Sequence, residues 1–155
     1  MVVKLSNFEL YVAAMVGVRR NFTKSGLTNK VNNKDFGWHC DIEGAAAEMA
    51  FAKCFNLYWN FSVNTFKTMP DVDKFEIRHT QRKDGKLIIR PSDIREGNVT
   101  SYCLVVGTSP EYRVCGWIND VDAVKDERNW MKGFNNMPDA WFVPQDRLNT
   151  EFNWI

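Results

Sequence analysis

Asp71, Glu76 and Arg78 are the residues whose types and spacing could do chemistry. The alternation of KFEIRHT (74–80) predicts a strand with Phe75, Ile77 and His79 on one face, and Glu76, Arg78 and Thr80 on the other. Asp71 then lies at the mouth of that strand. Two acids converging beside a cation can hold a hard divalent ion next to a phosphate, because oxygen ligands suit Mg²⁺, which keeps several waters and takes few protein ligands. The same spacing also fits an ordinary exposed strand face. Glu48 is the second oddity. Its helical neighbours at three and four positions are Gly44, Ala45, Phe51 and Ala52. A carboxylate on such a face is paired, protonated or functional, since bare burial is expensive, or else it sits at the rim as a helix-surface residue. His79 alternates away from Glu76 and Arg78 and reads as structural. His39 beside Cys40 lacks the spaced partners of a zinc site.

The elements that must position these residues are marked locally. Ser6 and Glu9 form a capping box, with Leu5 and Leu10 at the staple positions, and open a helix. Leu10, Ala13, Met15, Val16 and Val18 give it one broad buried face ending near Arg19–Arg20. A basic connection leads to a second helix that begins near Asp41, its N-cap, and runs to about Asn56. FSVNTFKT (61–68) and KFEIRHT are strand candidates. Asp84–Gly85 offers a hairpin turn into KLIIR (86–90). YCLVVG (102–107) and YRVCGWI (112–118) predict a second hairpin around Thr108–Ser109–Pro110. A short helix after Asp120 and an edge strand ending at Pro144 complete the chain. The fold class expected is α+β or mixed α/β.

Composition bounds the rest. The chain has 155 residues, enough for one domain over 1–155, and 11 Phe, 6 Trp and 4 Tyr exclude disorder. No run approaches a membrane span, no apolar signal core precedes Glu9, and four scattered cysteines argue against a disulfide framework, so a cytoplasmic protein is expected. The net charge of +1 hides an uneven distribution. Residues 1–36 and 74–90 each carry six bases against two acids, whereas 119–155 carry seven acids against four bases. The basic regions can face a polyanion or form a solvated surface. Trp59, Trp117, Trp130, Trp141 and Trp154 mostly adjoin apolar residues and read as core, with Trp154 a docking contact as the alternative.

Pro70–Asp71 followed by Glu76–Ile77–Arg78 resembles the signature of the PD-(D/E)XK superfamily of restriction-endonuclease-like nucleases, with Arg in the Lys place. Glu48, in GAAAEMAFAKCF, sits where that superfamily carries a helical Glu. The chain is also similar to small bacteriophage proteins that share its layout: Glu43–Ala50, Glu76–Arg78, Leu87–Arg90, Leu104–Gly107, Gly116–Ile118 and Phe142–Gln145. The resemblance implies a restriction-endonuclease-like core, a central mixed β-sheet flanked by helices, in a phage-encoded, metal-dependent nuclease acting in the host cytoplasm on DNA ahead of RNA. It implies that Asp71, Glu76 and the Ile77 carbonyl hold Mg²⁺ or Mn²⁺, and that Glu48 orients a water or helps hold a second ion. Arg78 would stabilise the transition state, with His79 or Arg90 as weaker neighbours. Asp73 is a rival to Asp71. Arginine stays protonated and cannot be a general base. A degenerate form that binds nucleic acid or a host protein without cutting is therefore the alternative, and a homodimer is compatible with either.

Overall fold

The computed structural model describes residues 1–24, 34–63, 69–95, 97–133 and 138–152. The capping box forms as expected: Ser6 N–H donates to Glu9 Oε2 at 2.6 Å and Glu9 N–H to Ser6 Oγ at 3.3 Å. It opens α1 (Asn7–Lys24), which follows the short strand β1 (Val2–Lys4). Ala13 and Val16 are buried, whereas Met15, expected on the same face, is exposed. The second helix, α2 (Lys34–Cys54), starts seven residues before the expected N-cap, and α1 continues a turn beyond Arg20. Phe22 and Trp38 explain both extensions, because their rings meet edge to face at 5.4 Å and zip the two helix ends together. Gly17 permits the close crossing: a Cβ there would lie 2.5 Å from Ile42 Cα.

β2 (Phe75–Thr80) falls where alternation places it. β4 (Ser101–Thr108) and β5 (Glu111–Asn119) form the expected hairpin about Ser109–Pro110. The main sheet has the order β1-β5-β4-β2; β2 runs parallel to β4 and the other pairs are antiparallel, so the sheet is mixed. The residues FSVNTFKT do not form a described strand: 64–68 lie outside the described residues, and 61–63 are irregular.

The expected hairpin through Asp84–Gly85 is not formed. The turn is present, with Gly85 N–H bonded to Arg82 O, but β3 (Leu87–Ile89) pairs with β7 (Ala140–Val143) in a second sheet of order β3-β7-β6, where β6 is Trp130–Met131. Gln145 fixes this departure by donating to the carbonyls of Lys83 (2.9 Å) and Gly85 (2.8 Å). Leu87 and Ile89 are then buried with Val143 instead of against β2. β7 is consequently central, not an edge. Pro144 lies just past its end and removes no ladder bond. The short helix after Asp120 is present as α3 (Asp120–Lys125).

The two faces of the main sheet bury different layers. Phe75, Ile77, Cys103 and Val105 meet the alanine-rich face of α2, with Ala13 and Val16 of α1 in the same cluster. Tyr102, Leu104 and Val106 face the second sheet and Ala123 of α3. The architecture is mixed α/β around a mixed sheet. Among the described residues no helix is long and apolar enough to cross a membrane.

Candidate active site

Among the described residues β2 is an outer strand of the main sheet, as is β1, and the candidate residues gather along the side of β2 away from β4. A tight turn precedes it: Phe75 N–H bonds to Val72 O at 2.9 Å, and Asp71 N–H to Phe75 O at 3.0 Å. This turn folds the Asp71 side chain back so that Oδ2 accepts the Ile77 N–H at 2.8 Å. The N–H and C=O of one strand residue point to the same edge, so the Ile77 carbonyl also faces the side away from β4, next to Asp71. Asp71 thus lies in a turn rather than on a strand of its own. Its rival Asp73 is exposed in that turn with a positive φ of 52°.

Glu76 and Arg78 project to the face opposite Ile77, as alternation predicts. Arg95 Nη2 holds Glu76 Oε1 at 2.6 Å, and Arg78 Nη2 lies 3.0 Å from Asp93 Oδ2. The Arg78 guanidinium is 5.1 Å from the centre of the Tyr102 ring, whose hydroxyl donates to Asp93 O. Burial raises the Tyr102 phenol to about 12. Arg78 Nε is buried and has no hydrogen-bond partner among the described residues.

Glu48 approaches from the helix layer. It is buried and fully engaged: Arg20 donates Nη1 to Oε1 at 2.6 Å and Nη2 to Oε2 at 2.7 Å, and Trp59 Nε1 donates to Oε2 at 3.0 Å. Arg20 is anchored in turn by Nε and Nη2 bonds to Ser62 O at 3.0 and 2.8 Å. Glu48 is thus a paired acid.

Asp71 connects the two groups. Burial raises its carboxyl above the ordinary value, against the pull of the Ile77 N–H and of Arg20, Arg78 and Arg95. Burial, with the Asp71 charge in support, raises Glu76 as well. Burial above all, with Asp71 again adding to it, pushes Glu48 up to about 7 despite Arg20 and Trp59. The structure therefore brings Asp71 within electrostatic range of both other acids. It does not gather three of them: among the described residues no group of three His, Cys, Asp or Glu side chains is placed to hold a metal ion. Asp71 and Glu76 each keep one carboxylate oxygen without a hydrogen-bond donor among the described residues, and hard oxygen donors of this kind suit Mg²⁺ or Mn²⁺. Glu48, with both oxygens taken, does not offer one.

Arg20, Arg95 and Trp59 were not singled out by sequence as members of this site. Arg20 carried a signal, since it continues the Ala13–Val16 stripe by four residues and so belongs to the buried face of α1. Arg95, in the loop after the 3₁₀ turn Pro91–Asp93, had none.

The two histidines lie apart from the acids. His79 Nε2 is 2.9 Å from Gly107 O, and burial lowers its pKa; His39 meets the Gln81 amide. Glu43 has a structural setting: it accepts bonds from Ser109 and Tyr112 at the β4–β5 turn.

No known family model, curated protein or solved structure matches the chain.

Proposed function

We propose that the protein is a metal-dependent nuclease that hydrolyses phosphodiester bonds, with Asp71, Glu76 and the Ile77 carbonyl as the ion-holding set. The observation that carries this reading is the placement of Asp71 on the side of β2 away from β4, bonded to the Ile77 N–H and within range of Glu76. Mg²⁺ or Mn²⁺ bound there would supply a more acidic water and neutralise charge on the phosphate. The chain's own residues supply the remainder. Arg78, partly exposed beside Asp93, would turn its guanidinium to the phosphate oxygens. Arg95 holds Glu76 in place, and Arg20 balances the Asp71 charge from the helix side. Glu48 positions Arg20 through two bonds and serves that role in place of direct ligation.

A second reading, a nuclease-like protein that binds nucleic acid or a host protein without cutting, is favoured by the same Arg20–Glu48 pair and by Arg78, which cannot act as a base. Incubation with plasmid and single-stranded DNA in Mg²⁺ or Mn²⁺ separates the two. The nuclease reading expects cleavage that Asp71→Asn and Glu76→Ala abolish while the fold persists. Absence of cleavage, with calorimetry showing no metal binding, would leave only the second.

A further inference from the structure

Between β2 and the second sheet a cleft of about 520 Å³ opens beside Arg78, a size within the roughly 300–1,000 Å³ range of small-ligand sites. Its wall combines two chemistries. Ile88, Leu104, Phe142 and Met131 make it apolar, while Arg78, Arg82, Lys86 and Arg90 outnumber Asp84 four to one. Arg82 is spent on Asp84, at 3.2 Å, and Arg78 on Asp93, at 3.0 Å. Lys86 and Arg90 are exposed and make no ion pair among the described residues. The cleft thus offers uncompensated positive charge above an apolar surface that includes one aromatic ring.

We infer that this cleft takes an unpaired nucleotide of a single-stranded nucleic acid, its base against Phe142 and Ile88 and its phosphates on Lys86 and Arg90. A duplex presents phosphates to the rim but keeps its base faces stacked inside, so it could use the charge and not the apolar wall. An unpaired strand can use both. A free mononucleotide would fill the cleft, yet it would not use Lys83, exposed between the lining residues Arg82 and Asp84. The inference deepens the nucleic-acid reading by naming strandedness, and it does not depend on a metal.

The test is fluorescence anisotropy on the full chain in EDTA, with a labelled 12-nucleotide DNA strand, its duplex, and dAMP as competitor. The strand should bind about tenfold more tightly than the duplex, and dAMP should compete only weakly. Charge reversal at exposed positions, Lys86→Glu with Arg90→Glu, should weaken both DNAs at least about tenfold, and more steeply at low salt. Phe142→Leu, which keeps apolar volume and removes the ring, should weaken the strand and not the duplex. Equal affinity for strand and duplex, tight binding of dAMP alone, or no loss on charge reversal would each overturn the inference. The metal-free format separates it from the nuclease proposal. Strand preference without cleavage in Mg²⁺ defeats catalysis and leaves the cleft standing; metal-dependent cutting without strand preference does the reverse.

Discussion

Arg20 closes both oxygens of Glu48, at 2.6 and 2.7 Å, across 28 residues of chain and between two helices. Both side chains are largely withdrawn from water, at 12% and 6% exposure, so neither charge can fall back on solvent. Removing one partner of such a pair costs about 3–5 kcal/mol, because the other charge is left buried and alone. Arg20→Met should therefore destabilise the protein by about that amount at pH 8. The loss should be smaller at pH 5.5, where Glu48 can neutralise itself by protonation. Arg20→Met combined with Glu48→Leu should recover most of the stability. Urea denaturation at both pH values checks all three; an equal loss at the two would show that Glu48 does not titrate in that interval.

The pH dependence of the native protein follows with its sign. Burial raises Glu48 from the ordinary 4.5 to about 7, so between these values the folded state holds a proton that the unfolded state has released. Stability then falls as pH rises through that window, and the contribution is constant above it. Asp71 and Glu76, raised for the same reason, act in the same direction. Glu48→Gln should flatten the profile of unfolding free energy between pH 5 and 8. Mg²⁺ affinity, which requires deprotonated carboxylates, should rise with pH as Asp71 and Glu76 ionise, and isothermal titration at several pH values would measure it.

Asp71 is the link between Glu48 and Glu76, which lie on opposite faces of β2. Its charge raises both, so Asp71→Asn should lower the pKa of each. The variant keeps an oxygen for the Ile77 N–H, and its stability should stay within about 1 kcal/mol of the parent. Carboxyl ¹³C titration by NMR gives both pKa values in one experiment. If neither moved, the shared electrostatic position of Asp71 would be lost, and with it the basis of the metal proposal.

Local chemistry made much of this fold legible in the sequence. The Ser6–Glu9 box, the alternation of β2 and the β4–β5 hairpin depend on residues a few positions apart, and each is formed. The failures involve partners chosen at long range. Asp84–Gly85 specifies a turn, yet nothing in its chemistry says which sheet the next strand joins; that is decided by Gln145, 60 residues on, at the Gly85 carbonyl. At the site, the acids were legible by type and spacing. The arginines that neutralise them were not, because Arg20 reaches Ser62 across 42 residues and Arg95 belongs to no periodic element.

The contact between α1 and α2 depends on a missing side chain. A Cβ on Gly17 would stand 2.5 Å from Ile42 Cα and 2.7 Å from Ile42 N, both backbone atoms that cannot rotate away. Gly17→Ala should push the helices apart and cost about 1–3 kcal/mol, despite the better helix propensity of alanine. Because Arg20 lies one turn further along α1, the shift should also loosen its grip on Glu48. Thermal unfolding reports the first effect and NMR titration of Glu48 the second.

Glu43 ties α2 to the far end of the main hairpin. Its carboxylate accepts Ser109 N–H at 3.2 Å, Ser109 Oγ at 2.8 Å and the Tyr112 hydroxyl at 2.8 Å, and burial holds the Tyr112 phenol well above its ordinary value. No cation appears among these partners; the buried carboxyl is held by neutral donors. Glu43→Ala would take the carboxylate acceptor from the buried Tyr112 hydroxyl, while the exposed Ser109 can turn to water, and should cost about 1–3 kcal/mol. Tyr112→Phe removes one of the donors and should cost about 1 kcal/mol. Since Glu43 lies five residues before Glu48 on the same helix, both variants should leave metal and DNA binding intact if α2 is held mainly by its alanine face. A parallel loss of binding and stability would instead show that the β4–β5 turn sets the position of Glu48. Chemical denaturation together with calorimetric Mg²⁺ titration distinguishes these outcomes.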